Sequence, residues 1–245
     1  MTVDVVGIPV QNVTMEEAVR DAAAFLDGAE PKIIVTPNAE ILQLCVEDAR
    51  IKEIIRGADY IIPDGIGVVR AAKMLGTPMK GKVAGCELGW NLLPEITRRG
   101  KRLFLLGAKP GVAQAAADKM KAQYPDLIIC GVRDGYFKED DEVIESIRAA
   151  RADALYVCLG VPKQEKWMVK HRDRLGVKLM IGLGGSLDVY AGNIKRAPKL
   201  FIKLGLEWLY RLIKEPWRIK RMMKLPVFFV SVRKYKKERK RGETE

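Results

Sequence analysis

Short apolar runs alternate with small-residue loops and helical segments along most of this chain, and this order leaves few folds open. The apolar runs lie at residues 32–36, 61–62, 102–106, 127–130, 154–159 and 179–183. Strand, loop and helix repeated in this order are typical of βα units, which need right-handed crossovers and a parallel sheet covered by helices on both faces. The sequence therefore predicts an α/β fold with a Rossmann-like, doubly wound, mostly parallel sheet.

Further elements are predicted around this repeat. Residues 3–6 are expected to form a first strand, and Thr14 and Glu17 have the spacing of a capping box that opens a helix. Two later helices are expected to run without interruption, one ending near residue 58 and one covering residues 87–98.

The positive charge of the chain is concentrated at its C-terminal end. The 245 residues carry a formal net charge of +12. Residues 193–245 contain 17 Lys and Arg against 5 Asp and Glu, which is also a net +12, so residues 1–192 are balanced. The balanced part is long enough for one sizeable core. We therefore expect a Rossmann-like domain at residues 1–192 and a basic helical appendage at residues 193–245.

The basic appendage combines cations with apolar residues. Residues 199–214 have an amphipathic helical pattern that also fits a helix packed on the domain. Residues 225–230 form an apolar patch that is expected to be exposed, next to an almost continuously basic tail. This combination is typical of a helix in the headgroup layer of an anionic membrane, with nucleic acid as the competing partner. The apolar patch favours the membrane, and the domain shows no nucleic-acid-binding signature.

Other features of the sequence restrict location and metal chemistry. No signal peptide opens the chain, and no apolar run reaches the roughly 18 residues that a spanning helix needs. The four cysteines lack a C-x-x-C pair and are expected to be free thiols. The single histidine argues against a His-ligated metal site. We expect a peripheral protein on the cytoplasmic face of the cell membrane.

Asp64 is the first candidate for a catalytic residue. It follows the apolar run at 61–62 and Pro63, which cannot donate a ladder hydrogen bond, and it precedes Gly65 and Gly67. Ligands of open parallel sheets bind outside the carboxyl ends of the strands, where this carboxylate is expected. Asp64 is therefore a candidate general base, although a turn aspartate that caps the next helix explains the pattern equally well.

Small polar residues also follow the preceding strand. Thr36 ends the predicted strand 32–36, Asn38 follows it, and both are expected on the same edge of the sheet as Asp64. The alternative is that one of them only caps the helix that begins after Ala39. Lys80 and Lys82 lie in a loop that brings two cations near this edge.

The glycine-containing loops favour a bound nucleotide. Loops of this kind place N–H groups at helix starts, where phosphates bind. The loops lack G-x-G-x-x-G with a ribose-binding acid, lack G-x-x-x-x-G-K-[ST], and lack the D-x-D that holds a cation on the diphosphate in many sugar-nucleotide enzymes. A bound diphosphate would therefore have to be neutralised by side-chain cations and helix starts.

Several motifs occur together and in order. They are Thr36-Pro-Asn38-Ala-Glu40, Pro63-Asp64-Gly65-x-Gly67, Gly85-x-Glu87-Leu88, Leu106-Gly107-Ala108, Gly135-Tyr136-Phe137, Gly160-x-Pro162-x-Gln164-Glu165, Gly182-x-Gly184-Gly185 and Arg196-Ala-Pro198. The ordered set resembles the WecG/TagA/CpsF glycosyltransferase family over residues 6–225, and its TagA type most closely.

This resemblance implies an activity. It is an inverting, metal-independent transfer of N-acetylmannosamine from UDP to the 4-hydroxyl of N-acetylglucosamine on diphospho-undecaprenol, in wall teichoic acid synthesis, without a cofactor. The partners implied are a UDP-sugar, a polyprenyl-diphosphate-linked sugar and an anionic membrane surface, and not nucleic acid.

The resemblance also implies roles for individual residues. Asp64 would be the general base, with Thr36 and Asn38 in the same pocket. Arginines at positions 211, 218 and 221 would fold over the site and stabilise the diphosphate leaving group in place of a metal. Substrate-binding residues are expected at Lys82, Glu87, Gly107, Ala108, Gly135, Tyr136, Gly160, Gln164, Gly184, Gly185 and Arg196. Relatives often have Asp where this chain has Glu87 and Arg near Lys82, so these two roles stay open.

Two functions of other classes also stay open. A non-catalytic lipid- or nucleic-acid-binding module would bind in a salt-dependent way without needing Asp64. A nicotinamide-dependent enzyme would bind NADH. No residue identifies the donor among N-acetylated or uronic sugars, and a homo-oligomer is compatible with the sequence.

Overall fold

A computed structural model describes residues 1–194, 198, 201, 207–214, 219 and 223–242. Its strands form a two-stranded antiparallel hairpin and a six-stranded parallel sheet with the order β4-β3-β8-β7-β5-β6. The strands are β1 Thr2–Val5, β2 Ile8–Gln11, β3 Lys32–Val35, β4 Tyr60–Ile61, β5 Arg102–Gly107, β6 Ile128–Arg133, β7 Ala154–Cys158 and β8 Leu179–Gly182.

Helices cover both faces of the parallel sheet. They are α1 Met15–Phe25, α2 Ala39–Glu47, α3 Ala49–Arg56, α4 Ile66–Leu75, α5 Gly85–Asn91, α6 Leu93–Arg98, α7 Val112–Gln123, α8 Asp140–Ala149, α9 Lys163–His171, α10 Ser186–Tyr190, α11 Glu207–Lys214 and α12 Lys224–Gly242. Successive strand residues point to opposite faces, so Ile33 and Val35 join the core under α2, α3, α4, α8 and α9, while Ile34 joins the core under α1, α5, α6, α7 and α10. The predicted doubly wound α/β fold is confirmed.

The first strand belongs to a hairpin. A first strand is expected at residues 3–6, and β1 covers most of that range. The prediction did not include β2, with which β1 pairs in a hairpin outside the parallel sheet. Val6 and Gly7 turn the chain with φ values of +53° and +83°. Positive φ at both central residues is the geometry of the tight turn that matches strand twist. Valine rarely adopts this conformation, so Gly7 is the only residue of the pair that indicates such a turn.

Two helices predicted as continuous are each divided. Asp48 ends α2 and caps α3, because its Oδ1 accepts from the N–H of Arg50 at 2.8 Å. The segment 87–98 is divided at Leu92 into α5 and α6, and Pro94 lies in the first turn of α6. Proline fits there because first-turn N–H groups have no partner within the helix.

The C-terminal helix packs on the domain. Phe228 and Val232, one helical turn apart, are fully buried in the core beside α2 and α4. The prediction that residues 225–230 form an exposed patch is therefore wrong for Phe228, while Val227 and Val230 are 48% and 64% exposed. A helical period turns alternate parts of this apolar run inward and outward. The proposed boundary between residues 192 and 193 stays a prediction.

Only part of the appendage can be compared with the sequence. The helix α11 lies inside the predicted helical segment 199–214, whereas most of residues 199–206 and Pro216 lie outside the described residues. No helix within the described ranges is long and apolar enough to cross a membrane.

Candidate active site

A cavity of about 1300 Å³ runs along the carboxyl ends of the strands. The loop after each of the six parallel strands contributes to its wall. One example from each loop, in chain order, is given by Thr36, Asp64, Lys109, Gly135, Gly160 and Gly184. Apolar residues of α12 also line the cavity, namely Leu225, Pro226 and Phe229. The cavity therefore lies where parallel α/β sheets bind their ligands.

The backbone around Asp64 continues the hydrogen-bond ladder beyond β4. Ile62 N–H donates to the Val35 carbonyl at 3.0 Å, and Asp64 N–H donates to the Pro37 carbonyl at 3.2 Å. Gly65, with φ +88°, then turns the chain and is the N-cap residue of α4. Asp64 thus precedes the cap, and its position on the cavity wall is fixed by the end of the neighbouring strand.

Thr36 and Asn38 reach the cavity, and both also hold the fold together. The buried Thr36 hydroxyl donates to the Gly182 carbonyl at 3.1 Å and so joins the ends of β3 and β8. Asn38 Oδ1 accepts from the N–H groups of Glu40 and Ile41 at 3.0 and 3.1 Å. The alternative prediction that Asn38 caps the following helix is therefore confirmed, and the residue lies on the cavity wall as well.

Gln164 reaches the cavity from the first turn of α9 and is held by a buried neighbour. Its Nε2 donates to Glu165 Oε1 at 2.8 Å, and its Oε1 accepts from the Gly184 N–H at 3.0 Å. Both side chains are almost completely buried, and burial raises the pKa of Glu165 to about 7. Glu165 Oε2 has no hydrogen-bond partner among the described residues. The carboxyl group therefore orients the amide that shapes the Gly184 loop.

The glycine loops differ in their roles. Gly135, Gly160, Gly184 and Gly185 line the cavity as predicted, together with Ala108 and the exposed Tyr136. Gly107 lies outside the wall, and a Cβ there would be 2.2 Å from the Cys158 carbonyl oxygen. Its φ of +129° and this close approach between β5 and β7 explain the glycine, so the structure does not bring it to the predicted substrate position.

Four basic side chains of the described residues line the cavity. Lys82 lines the wall as predicted. Arg70, Lys109 and Lys163 also line it, although the sequence did not single them out. Lys163 Nζ lies 4.9 Å from the Phe137 ring centroid. Lys109 lies in a glycine loop that is predicted to bind phosphate, and Lys163 directly follows another. This position is the signal that could have identified them.

Several predicted residues are not brought to the described cavity. Glu87 lies in the first turn of α5 and is not part of the wall, whereas its neighbours Gly85 and Cys86 are. The backbone of Arg211 belongs to α11, but its side chain lies outside the described part of the structure. Arg196, Arg218 and Arg221 lie outside the described residues.

Within residues 1–194 and the described parts of the appendage, no group of three or more His, Cys, Asp or Glu side chains could hold a metal ion. Metal independence stays a prediction.

Comparison with known proteins identifies the family. The model of the glycosyl transferase WecG/TagA/CpsF family matches residues 3–242. The chain belongs to the WecG/TagA/CpsF glycosyltransferase family. The predicted resemblance is thus confirmed, and the cavity is the candidate active site of a glycosyltransferase.

Relatives within the WecG/TagA/CpsF family share nearly the full length. A protein of Bacillus spizizenii is 38% identical over 213 residues, which are 87% of this chain and 83% of the relative. One of Bacillus subtilis is 38% identical over 216 residues, 88% and 84% of the two chains. One of Staphylococcus aureus is 35% identical over 244 residues, 98% and 96% of the two. All three are named N-acetylglucosaminyldiphosphoundecaprenol N-acetyl-beta-D-mannosaminyltransferase.

The buried Glu165 carboxyl should make stability depend on pH. Its pKa is 4.5 in the unfolded reference and about 7 in the fold. Between these values the folded carboxyl is protonated while the unfolded one is ionised, so the free energy of unfolding falls as pH rises. Glu165→Gln removes this fall. Between pH 4 and pH 8, the free energy of unfolding of the variant should therefore rise by up to roughly 3 kcal/mol relative to that of wild type.

Urea denaturation at the two pH values measures this difference. Glu145→Gln, at an exposed position on α8, is the matched control and should follow wild type. A stability difference between Glu165→Gln and wild type that stays constant with pH would contradict the buried, neutral carboxyl.

Proposed function

We propose that this chain transfers N-acetylmannosamine from UDP to the 4-hydroxyl of N-acetylglucosamine on diphospho-undecaprenol, as a step of wall teichoic acid synthesis. The observation that carries the proposal is Asp64 on the wall of a cavity to which all six βα loops contribute. The names of the relatives, which span nearly the whole chain, support the donor sugar and the acceptor.

In this mechanism Asp64 is the general base. The carboxylate takes the proton of the acceptor 4-hydroxyl while that oxygen forms a bond to the anomeric carbon of the donor sugar. The bond from the anomeric carbon to the UDP oxygen breaks on the opposite side, and the electron pair leaves with the β-phosphate. One displacement of this kind inverts the anomeric centre.

The leaving diphosphate needs positive charge as it departs. Lys109, on the loop after β5, and Lys163, the first residue of α9, lie on the same wall as Gly135 and Gly160. Ammonium groups and backbone N–H groups placed there would stabilise the growing charge without a divalent cation. Arg211, Arg218 and Arg221 of the appendage are proposed to complete this set of cations.

The C-terminal helix is proposed to dock the enzyme on the cytoplasmic face of the membrane that holds the acceptor. Val227 and Val230 are exposed on α12, while Phe228 anchors the same helix in the core. The second half of α12 carries exposed cations, among them Arg233 and Lys237. Exposed apolar residues next to cations bind the headgroup layer of anionic bilayers.

Replacement of the proposed base tests the mechanism. With UDP-N-acetylmannosamine, a lipid-diphospho-N-acetylglucosamine acceptor and EDTA, Asp64→Asn should release UDP roughly 10²- to 10⁴-fold more slowly than wild type. Asp188→Asn changes another carboxylate of the same cavity wall and is the matched control, because the proposal gives it no proton to accept. Full turnover of Asp64→Asn would refute its role as the base, and wild-type turnover that needs added Mg²⁺ would refute metal independence.

Vesicle binding tests the docking of α12. The double variant Val227→Ser and Val230→Ser should bind vesicles of phosphatidylglycerol and phosphatidylethanolamine roughly tenfold more weakly than wild type, because less apolar surface enters the headgroup layer. Co-sedimentation measures the bound fraction.

The control for this experiment changes the same residue type on other helices. Val46→Ser and Val169→Ser, at exposed positions on α2 and α9, should leave binding unchanged. Equal losses in both double variants would show that α12 is not the membrane contact.

A further inference from the structure

The cations on the cavity wall lie at two places along the edge of the sheet. Lys109 and Lys163 follow β5 and β7, whereas Arg70 lies on α4, directly after the Asp64 loop. Lys82 belongs to this second place, because the N–H of its neighbour Val83 donates to the Pro63 carbonyl at 2.9 Å. The strand β4 lies at the edge of the sheet, three strand-to-strand spacings from β7 and four from β5. These separations are about 14 Å to β7 and about 19 Å to β5. One cavity therefore has two separate cationic regions.

The proposed reaction brings two diphosphates into this cavity. The UDP diphosphate is attached to the sugar that is transferred. In the proposed mechanism it binds to the glycine loops, Lys109 and Lys163. The acceptor has a diphosphate of its own, between its sugar and its prenyl chain. This second diphosphate must lie on the acceptor side, near the base that takes the proton of its sugar.

We propose that Arg70 binds the diphosphate of the acceptor, an inference that rests on the proposed function. Arg70 is four residues beyond Ile66, the first residue of α4, and the helix rises about 6 Å over that span. This distance is comparable with the width of one pyranose ring. An acceptor whose 4-hydroxyl reaches Asp64 thus places its diphosphate within range of the Arg70 guanidinium.

The charge of Arg70 is available to a ligand. Arg70 is exposed at the cavity wall and forms no hydrogen bond or ion pair with any other described residue. Lys80, in contrast, is held by Glu17 at 2.6 Å. A guanidinium can donate two parallel hydrogen bonds to phosphate oxygens, which makes arginine suited to this group.

The surroundings of α4 also match the acceptor. A Cβ added at Gly67 would lie 4.0 Å from Leu225 Cδ2, so α12 closely approaches the first turn of α4. Leu225, Pro226 and Phe229 of α12 line the same cavity. The proposed base, the Arg70 guanidinium and the apolar residues of α12 thus lie around one helix. The acceptor has the matching order of groups, which is the 4-hydroxyl, the diphosphate and the prenyl chain.

Two acceptors separate this role from a general loss of activity. One is farnesyl-diphospho-N-acetylglucosamine, and the other is an uncharged alkyl glycoside of N-acetylglucosamine with a chain of similar length. With the full chain, Arg70→Gln should raise KM for the diphosphate acceptor roughly tenfold to hundredfold, because it removes a charge-assisted pair of hydrogen bonds. KM for the UDP-sugar and the rate with the alkyl glycoside should not change.

Two further variants sharpen the comparison. Arg70→Lys keeps a positive charge but loses the planar fork, so its KM should lie between those of wild type and Arg70→Gln. Lys73→Gln removes an exposed cation from the same helix outside the cavity wall and should behave as wild type. Equal losses on both acceptors, or a raised KM for the UDP-sugar, would overturn the assignment.

Calorimetric binding distinguishes failure of this inference from failure of the proposed function. Binding of farnesyl-diphospho-N-acetylglucosamine is measured without donor, and binding of UDP without acceptor. If wild type shows no turnover but acceptor affinity depends on Arg70, the proposed reaction fails and the acceptor site stands. If wild type does not bind the acceptor, or binds it no better than Arg70→Gln does, the inference fails whatever the activity.

Discussion

The common direction of the six sheet strands is the constraint on which this site depends. Because the strands are parallel, all their carboxyl ends meet at one edge, and residues far apart in sequence come together there. The ladder continues into the loops, where Asp64 N–H donates to the Pro37 carbonyl and Leu183 N–H to the Val157 carbonyl. Asp64 is therefore positioned by backbone hydrogen bonds, and a shift in strand register would move it away from the other loops of the cavity wall.

A buried polar junction at Gly182 links the two halves of this edge. Its carbonyl accepts from Thr36, and a Cβ at Gly182 would lie 2.9 Å from Gln164 Nε2. Gln164 in turn holds Gly184 and is oriented by Glu165. Polar groups that are buried and hydrogen-bonded fix one arrangement, because leaving any of them unpaired costs free energy. Thr36 and Gln164 can thus act through the shape of the cavity as well as by contact with substrate.

Local sequence patterns predicted the sheet and the position of Asp64. The apolar runs and the glycine loops that follow them can be recognised in the sequence without knowledge of tertiary contacts. They did not predict β2, since Val6 adopts a positive φ that valine rarely takes. They also missed Arg70, because the cavity-facing side of α4 is decided by its packing against other elements. Phe228 was predicted to be exposed for the same reason, since no local pattern shows which side of α12 meets α2 and α4.

The anomeric configuration of the product tests most directly whether a single base at this edge performs the transfer. UDP-N-acetylmannosamine carries an α linkage, and one displacement assisted by Asp64 must give a β-linked disaccharide. The one-bond carbon–hydrogen coupling at the anomeric carbon of the isolated lipid product distinguishes the two forms. A β product is the predicted result. An α product would mean that the anomeric configuration is retained, and it would contradict Asp64 as the base of a single inverting displacement.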